Sequence, residues 1–102
     1  MPVLEEVVSR LIHELDPEKV YLFGSRARGD GEHDSDFDLL VVVADSEQPG
    51  FVRDRVALRA LRGLRLPVDV IVLTRHEFDR KLGVVSSLPA TVEREGKLLY
   101  AA

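Results

Sequence analysis

The segment FDLLVVVA, residues 37–44, is apolar at nearly every position and carries three consecutive valines. Branched side chains favour extended backbone, and an apolar run without alternation is typical of a strand that is buried on both faces. Such a strand needs other elements packed over it. The segment therefore predicts the central strand of a sheet, and the rest of the chain must supply its cover.

Two amphipathic patterns and one capping pattern predict helices that could pack over this strand. Residues 3–15 place apolar side chains at i, i+3, i+4 and i+7, and Asp16-Pro17 ends this helix. The same spacing predicts a helix over residues 51–64, whose arginines are expected to form a solvated face, with a phosphate- or partner-binding surface as the alternative. Thr74 followed by Glu77 is the pattern of a capping box, which predicts a short helix after Thr74.

Three shorter apolar runs predict the other strands. They cover residues 19–23, residues 68–73 and, after a helix that follows Pro89, residues 97–100. Strands alternating with helices indicate an α/β or α+β fold, in which helices pack on one sheet. The 102 residues fit a single domain spanning 1–102, and the pattern leaves the order of the strands open.

Composition narrows the class of function. A hydrophobic fraction of 45% and a charged fraction of 31% are those of a soluble globular protein, and no run approaches the roughly 20 apolar residues that span a bilayer. A cytoplasmic protein without membrane contact is expected. The chain has no cysteine, so any metal must be held by oxygen or imidazole. A net charge of -4 argues against direct nucleic-acid binding.

The segment GSRARGDGEHDSDFD, residues 24–38, gathers five acids and two arginines between the first two strands. Asp36 and Asp38 are two residues apart, so their carboxylates project to the same side of the second strand. Asp69 interrupts the third strand, and it can face this pair if the two strands are neighbours. Three such carboxylates could hold divalent cations. A charged strand entrance, with Asp69 as a paired structural acid, is the alternative.

The other end of this segment carries residues suited to phosphate. Gly24 lets a ligand approach the backbone, Ser25 adds a hydroxyl, and Arg26 and Arg28 add positive charge at the start of a helical turn. A plain turn with surface arginines is the alternative. Gly29 and Gly31, on either side of Asp30, are expected only to form the loop that returns the chain to the second strand. Surface positions are expected for three histidines, His13, His33 and His76, and packing roles for Tyr21 and Tyr100.

Gly24-Ser25, a gap of ten residues, Asp36-Phe37-Asp38 and a later Asp69 together resemble the signature of the nucleotidyltransferase superfamily related to DNA polymerase β. The segment is most similar to the minimal nucleotidyltransferase family, MNT, and the resemblance covers nearly the whole chain. It implies the polymerase β-like palm fold, a small mixed sheet packed with helices.

The resemblance also implies roles for these residues. Gly24 and Ser25, with Arg26 and Arg28, would hold the triphosphate of ATP. Asp36 and Asp38 would bind a pair of Mg²⁺ ions, and Asp69 would complete the inner metal site and activate the attacking hydroxyl.

Larger relatives carry a further domain for the acceptor, so the resemblance implies a partner that presents it. Members of the family are paired with a helical HEPN-type toxin, act as its antitoxin, and in some cases transfer AMP to its tyrosine. A hetero-oligomer with this partner or a homo-oligomer is expected. The alternatives are a non-catalytic antitoxin that masks its partner and, less favoured, an enzyme that modifies a small molecule such as an antibiotic.

Overall fold

The structure, a computed structural model, describes residues 2–29 and 36–102. The elements follow the order α1 (Pro2–Leu15), β1 (Lys19–Phe23), α2 (Ser25–Arg28), β2 (Phe37–Val43), α3 (Gly50–Ala60), β3 (Val68–Thr74), α4 (Arg75–Leu82), α5 (Leu88–Glu95) and β4 (Lys97–Ala101). The strands and helices predicted from the sequence are present, so the predicted alternation of the two is confirmed.

The four strands form one mixed sheet in the order β3-β2-β1-β4. β1 runs antiparallel to both β2 and β4, whereas β2 and β3 run parallel. The strand order, which the sequence pattern left open, places β2 between two other strands. The prediction of a small mixed sheet with β2 inside it is confirmed.

Helices pack on both faces of this sheet because alternate residues of β2 point to opposite sides. Leu39 and Val41 belong to a core cluster that includes Val7 of α1 and Ala57 of α3. Leu40 and Val42 face the other way, toward a second cluster with Phe78 of α4 and Val92 of α5. Burying such a side chain contributes about 1.5–3 kcal/mol. These two clusters explain why the sequence of β2 is almost continuously apolar.

The predicted helix over residues 51–64 ends earlier than expected, at Ala60. The next residues form a turn in which Gly63 takes a φ of 93°. Leu61 is buried and Leu64 packs against the same core, so the apolar pattern continues although the helix has ended. Hydrophobic spacing reports which side chains are buried, and here it did not locate the end of the helix.

The expectation that the arginines of α3 are all solvated is wrong for Arg53. This side chain is buried, with 6% exposure, and its guanidinium donates to both carboxylate oxygens of Glu77 at 2.8 and 3.0 Å. Glu77 also accepts from the backbone N–H of Thr74 at 2.8 Å, and the predicted capping box is confirmed. Hydrogen bonds from Arg53 and from Thr74 lower the pKa of Glu77 to about 2. The pair therefore ties α3 to α4.

The structure locates two of the histidines, expected at the surface, and both tyrosines, expected to pack in the core. His13 and His76 are exposed, as expected, whereas His33 lies outside the described residues. Tyr21 is buried and stacks on Phe78 with ring centroids 5.8 Å apart, and Tyr100 packs against the core, so both packing roles are confirmed. Across residues 2–29 and 36–102, no helix is long and apolar enough to cross a membrane.

Candidate active site

The three aspartates singled out in the sequence lie at one end of the sheet. Asp36 directly precedes β2, Asp38 is the second residue of β2, and Asp69 is the second residue of β3. The parallel register pairs Asp38 with Asp69, so the third strand lies beside the second, which the sequence pattern had left open. Paired residues of parallel strands point to the same face, and Asp36 shares that face by alternation. We call these three residues the carboxylate edge.

The carboxylate edge lies beyond the part of β2 that the described helices cover. On the same face, Leu40 and Val42 pack beneath α4 and α5 further along β2. Asp36 and Asp69 are exposed and Asp38 is half-buried. The carboxylates are therefore accessible to a ligand, while the strands that carry them are fixed by the core.

The carboxylates of this edge form no ion pair within the described part of the chain. Burial raises the pKa of Asp38, and the neighbouring charges of Asp69 and Asp36 raise it further. No ion pair or side-chain hydrogen bond joins any of the three carboxylates to a described residue. A divalent cation with oxygen ligands would offset this repulsion, so the donor set fits Mg²⁺. The described acids and histidines do not yet gather three ligating side chains around one point.

At Gly24 the backbone lies against the carboxylate edge. It follows β1, whose last residue, Phe23, pairs with Asp38. Its φ is 76°, and a Cβ atom added there would lie 2.4 Å from the Oδ2 atom of Asp38. No side chain fits in this space. The position therefore requires glycine for its conformation and for its contact, a contact that the sequence did not reveal.

Ser25 opens α2, the single helical turn predicted for this segment. The Arg26 guanidinium lies over the ring of Phe37, 4.3 Å from its centroid, and Arg28 is exposed. Phe37 stands between two aspartates but points to the opposite face, where it supports Arg26. This role was missed, although the alternation of the strand was the signal for it. The predicted loop with Asp30 and Gly31 lies outside the described residues.

Comparison with known proteins gives one matching sequence profile and three similar solved structures. The sequence profile described as "Nucleotidyltransferase domain" matches residues 3–99. A Sulfolobus solfataricus protein, solved as a candidate nucleotidyltransferase, is 32% identical, with a TM-score of 0.70, over 98% of this chain and 78% of that one. A toxin-antitoxin structure with AMP-PNP is 26% identical, with a TM-score of 0.63, over 96% and 73%. A variant of the toxin-antitoxin MntA-HpeT shares the fold, at 24% identity and a TM-score of 0.65, over 97% and 72%. Among curated proteins, none matches the sequence.

Proposed function

Since the chain belongs to the nucleotidyltransferase domain family, we propose that it is a magnesium-dependent enzyme that transfers AMP from ATP to a hydroxyl group of a partner protein. The observation that carries this proposal is the register of β2 and β3, which sets Asp38 opposite Asp69 with Gly24 against the Asp38 carboxylate. Residues 1–102 would act as one minimal nucleotidyltransferase domain in the cytoplasm, where both ATP and Mg²⁺ are available.

Asp36, Asp38 and Asp69 would hold two Mg²⁺ ions through their carboxylate oxygens. When bound, Mg²⁺ neutralises the phosphate oxygens and stabilises the charge that develops during transfer. The exposed side chains of Asp36 and Asp69 can change rotamer at low cost to gather around an ion. The half-buried Asp38 is held in place between two strands, so it supplies the fixed point of the site.

Gly24 and Ser25 would bind the triphosphate, with Arg26 and Arg28 beside them. Because Gly24 has no side chain, a phosphate can approach the backbone at the start of α2 closely. The Ser25 hydroxyl can donate a hydrogen bond to a phosphate oxygen. The two guanidinium groups add positive charge next to the carboxylate edge, which favours a bound polyphosphate.

Asp69 would act as the general base. The acceptor hydroxyl oxygen forms a bond to the α-phosphorus of ATP, the bond from that phosphorus to the bridging oxygen breaks, and pyrophosphate leaves. The hydroxyl proton passes to a carboxylate oxygen of Asp69, which is exposed and so can be reached by a large acceptor. A tyrosine is a suitable acceptor because its ordinary pKa of about 10 makes it the most acidic protein hydroxyl.

We propose that the acceptor belongs to a HEPN-type helical toxin and that this chain is its antitoxin, in a hetero-oligomer with it. Support comes from the toxin-antitoxin structure with AMP-PNP, which is 26% identical to this chain. A second candidate is an antitoxin that masks its partner without turnover. The observation in its favour is that the carboxylates are not already gathered around one point in the described part of the chain.

The test is calorimetric titration of the protein with ATP, with and without Mg²⁺. We expect binding that requires Mg²⁺ and that is lost in the Asp36→Ala, Asp38→Ala variant. Asp45→Ala is the matched control because it removes an exposed acid near the opposite end of β2. Equal binding by all three proteins would contradict the proposed site. Absence of binding by the unaltered protein would favour the masking antitoxin.

A further inference from the structure

The outward face of α3 carries a row of exposed side chains that neither the core nor the proposed active site uses. At 100° per residue they fall within one side of the helix and the turn that follows it. We call this row the arginine ridge: Phe51, Arg55, Leu58, Arg59 and Arg62, all of which are exposed. Phe51 is 65% exposed and Leu58 is 45% exposed, so large apolar groups alternate with the cations.

The positive charge of the arginine ridge is not balanced within the described residues. The only acid of α3 is Asp54, and its Oδ1 atom accepts from the backbone N–H of Val72 at 2.8 Å, so this side chain is turned to the open edge of β3. Arg55, Arg59 and Arg62 have no ion-pair partner in the described ranges; the Arg55 guanidinium lies 6.0 Å from the ring centroid of Phe51.

Arg10 lies at the end of the ridge, with its charge paired to Glu6. Its guanidinium donates to the backbone carbonyl of Arg62 at 2.9 Å, and its Nε atom donates to Glu6 at 3.1 Å. The contact fixes the turn after α3, so Arg62 is presented from an ordered position. In a chain whose net charge is -4, this local concentration of cations is a distinct electrostatic feature.

We propose that the arginine ridge is a docking surface for an acidic face of a partner protein. The inference rests on the proposed function, since this partner is the protein that presents the acceptor hydroxyl. Carboxylates on the partner complement the three arginines, and Phe51 and Leu58 supply apolar contact between them. Arginine and aromatic residues are the types enriched in the centres of protein interfaces.

A protein fits the arginine ridge better than a nucleic acid does. A nucleic-acid strand carries negative charge along its whole length, so the carboxylate edge and the net charge of -4 repel it, whereas a protein can confine its acids to one face. The exposed Leu58 also offers an aliphatic contact, which favours an apolar side chain over a phosphate backbone.

The position of the ridge suits delivery of an acceptor to the active site. The connection from α3 leads directly into β3, and Asp69 is the second residue of that strand. Arg62 therefore lies toward the same end of the sheet as the carboxylate edge. β3 is an outer strand, and Asp54 holds α3 against it. α3 covers the face of the sheet opposite to the one that carries the Asp69 carboxylate, so a partner seated on the ridge must extend around the edge of β3 to reach it.

The test uses a labelled helical peptide with glutamate at every fourth position and leucine beside it, and follows fluorescence anisotropy at low salt. We expect Arg55→Glu with Arg59→Glu to weaken binding at least about tenfold, because two attractions become repulsions. Arg80→Glu with Lys81→Glu is the matched control, since it makes the same change of charge on exposed positions of α4. NMR spectra of the backbone amides check that both variants are folded.

Equal weakening by the control variant, or no binding by the unaltered protein, would overturn the docking surface. Tighter binding of an oligothymidylate of equal length would overturn it in favour of a nucleic acid. Peptide binding by the unaltered protein without Mg²⁺-dependent ATP binding would remove the transferase proposal and keep the ridge, whereas ATP binding without peptide binding would remove the ridge alone.

Discussion

Replacement of Gly24 by alanine tests the contact between the phosphate-binding segment and the carboxylate edge. The added Cβ would lie 2.4 Å from the Oδ2 atom of Asp38, well inside van der Waals contact. The residue also has a φ of 76° and a ψ of −160°, a combination essentially confined to glycine that costs an alanine about 1–3 kcal/mol. Relief of the clash requires movement of Asp38 or of the backbone, which adds roughly 1–3 kcal/mol, as for an overpacked core.

Gly29 provides a control for a positive φ without a contact. It has a φ of 80° and a ψ of 7°, the ordinary left-handed region, and an added Cβ would meet no atom within 4 Å. Gly29→Ala is therefore expected to cost about 1 kcal/mol, against about 2–6 kcal/mol for Gly24→Ala, to which the backbone conformation and the clash both contribute. In a domain of this size, each kcal/mol lowers the Tm by about 4–8 °C. Thermal unfolding followed by circular dichroism resolves the difference.

A double variant separates the clash from other effects. Asp38→Ala removes the carboxylate and leaves the Asp38 Cβ position 3.6 Å from the added atom, an ordinary contact. In that background Gly24→Ala should cost about 1–3 kcal/mol less than it does in the unaltered protein, because only the backbone strain remains. An equal cost of Gly24→Ala with and without the Asp38 carboxylate would refute the contact. Equal costs of the two glycine replacements in the unaltered protein would refute it as well.

Two further changes probe charges. Asp38→Asn should stabilise the metal-free protein by roughly 0.5 kcal/mol at pH 7, because the pKa of Asp38 is raised by burial and by Asp69. The gain should vanish below the pKa of this aspartate in the unfolded chain, because Asp38 is then neutral in both the folded and the unfolded protein. Denaturant titration at pH 7 and pH 3 measures the gain, and destabilisation by Asp38→Asn at pH 7 would contradict the prediction. Glu77→Gln should cost roughly 2 kcal/mol at pH 7, discounted for the partial exposure of Glu77, because it leaves the buried Arg53 without its anion. Since the pKa of Glu77 is lowered from 4.5 to about 2, the cost should fall by more than half at pH 3, and an unchanged cost there would count against the pair.

Much of the fold could be predicted because local patterns agree with it. The run at β2 indicated burial on both faces, and the two core clusters on either side of Leu39 and Leu40 show that burial. The capping box at Thr74 was predicted for the same reason, since its hydrogen bonds join residues three apart in the chain. Features that depend on neighbouring residues in the sequence were therefore within reach.

Features that depend on pairs of residues far apart in the sequence could not be predicted. Arg53 has the spacing of a solvated arginine, and its burial depends on Glu77, 24 residues later, which also closes the capping box. The pairing of Asp38 with Asp69 required a strand order that periodicity does not report. Gly24 was interpreted as a site for close approach, but its neighbour, the Asp38 carboxylate, appears only when β1 and β2 are paired.

Paramagnetic line broadening tests the central claim, that the carboxylate edge holds the metal and the nucleotide, most directly. The protein with AMP-PNP would be titrated with Mn²⁺ in place of Mg²⁺, and the backbone amide signals followed by NMR. We expect the signals of Ser25, Leu39 and Val70 to be lost first. Those of Val43 and Thr74 should persist longest, since they lie five residues beyond Asp38 and Asp69, about 17 Å away at a rise of about 3.3 Å per residue. Loss of the Val43 and Thr74 signals before the others would contradict the site.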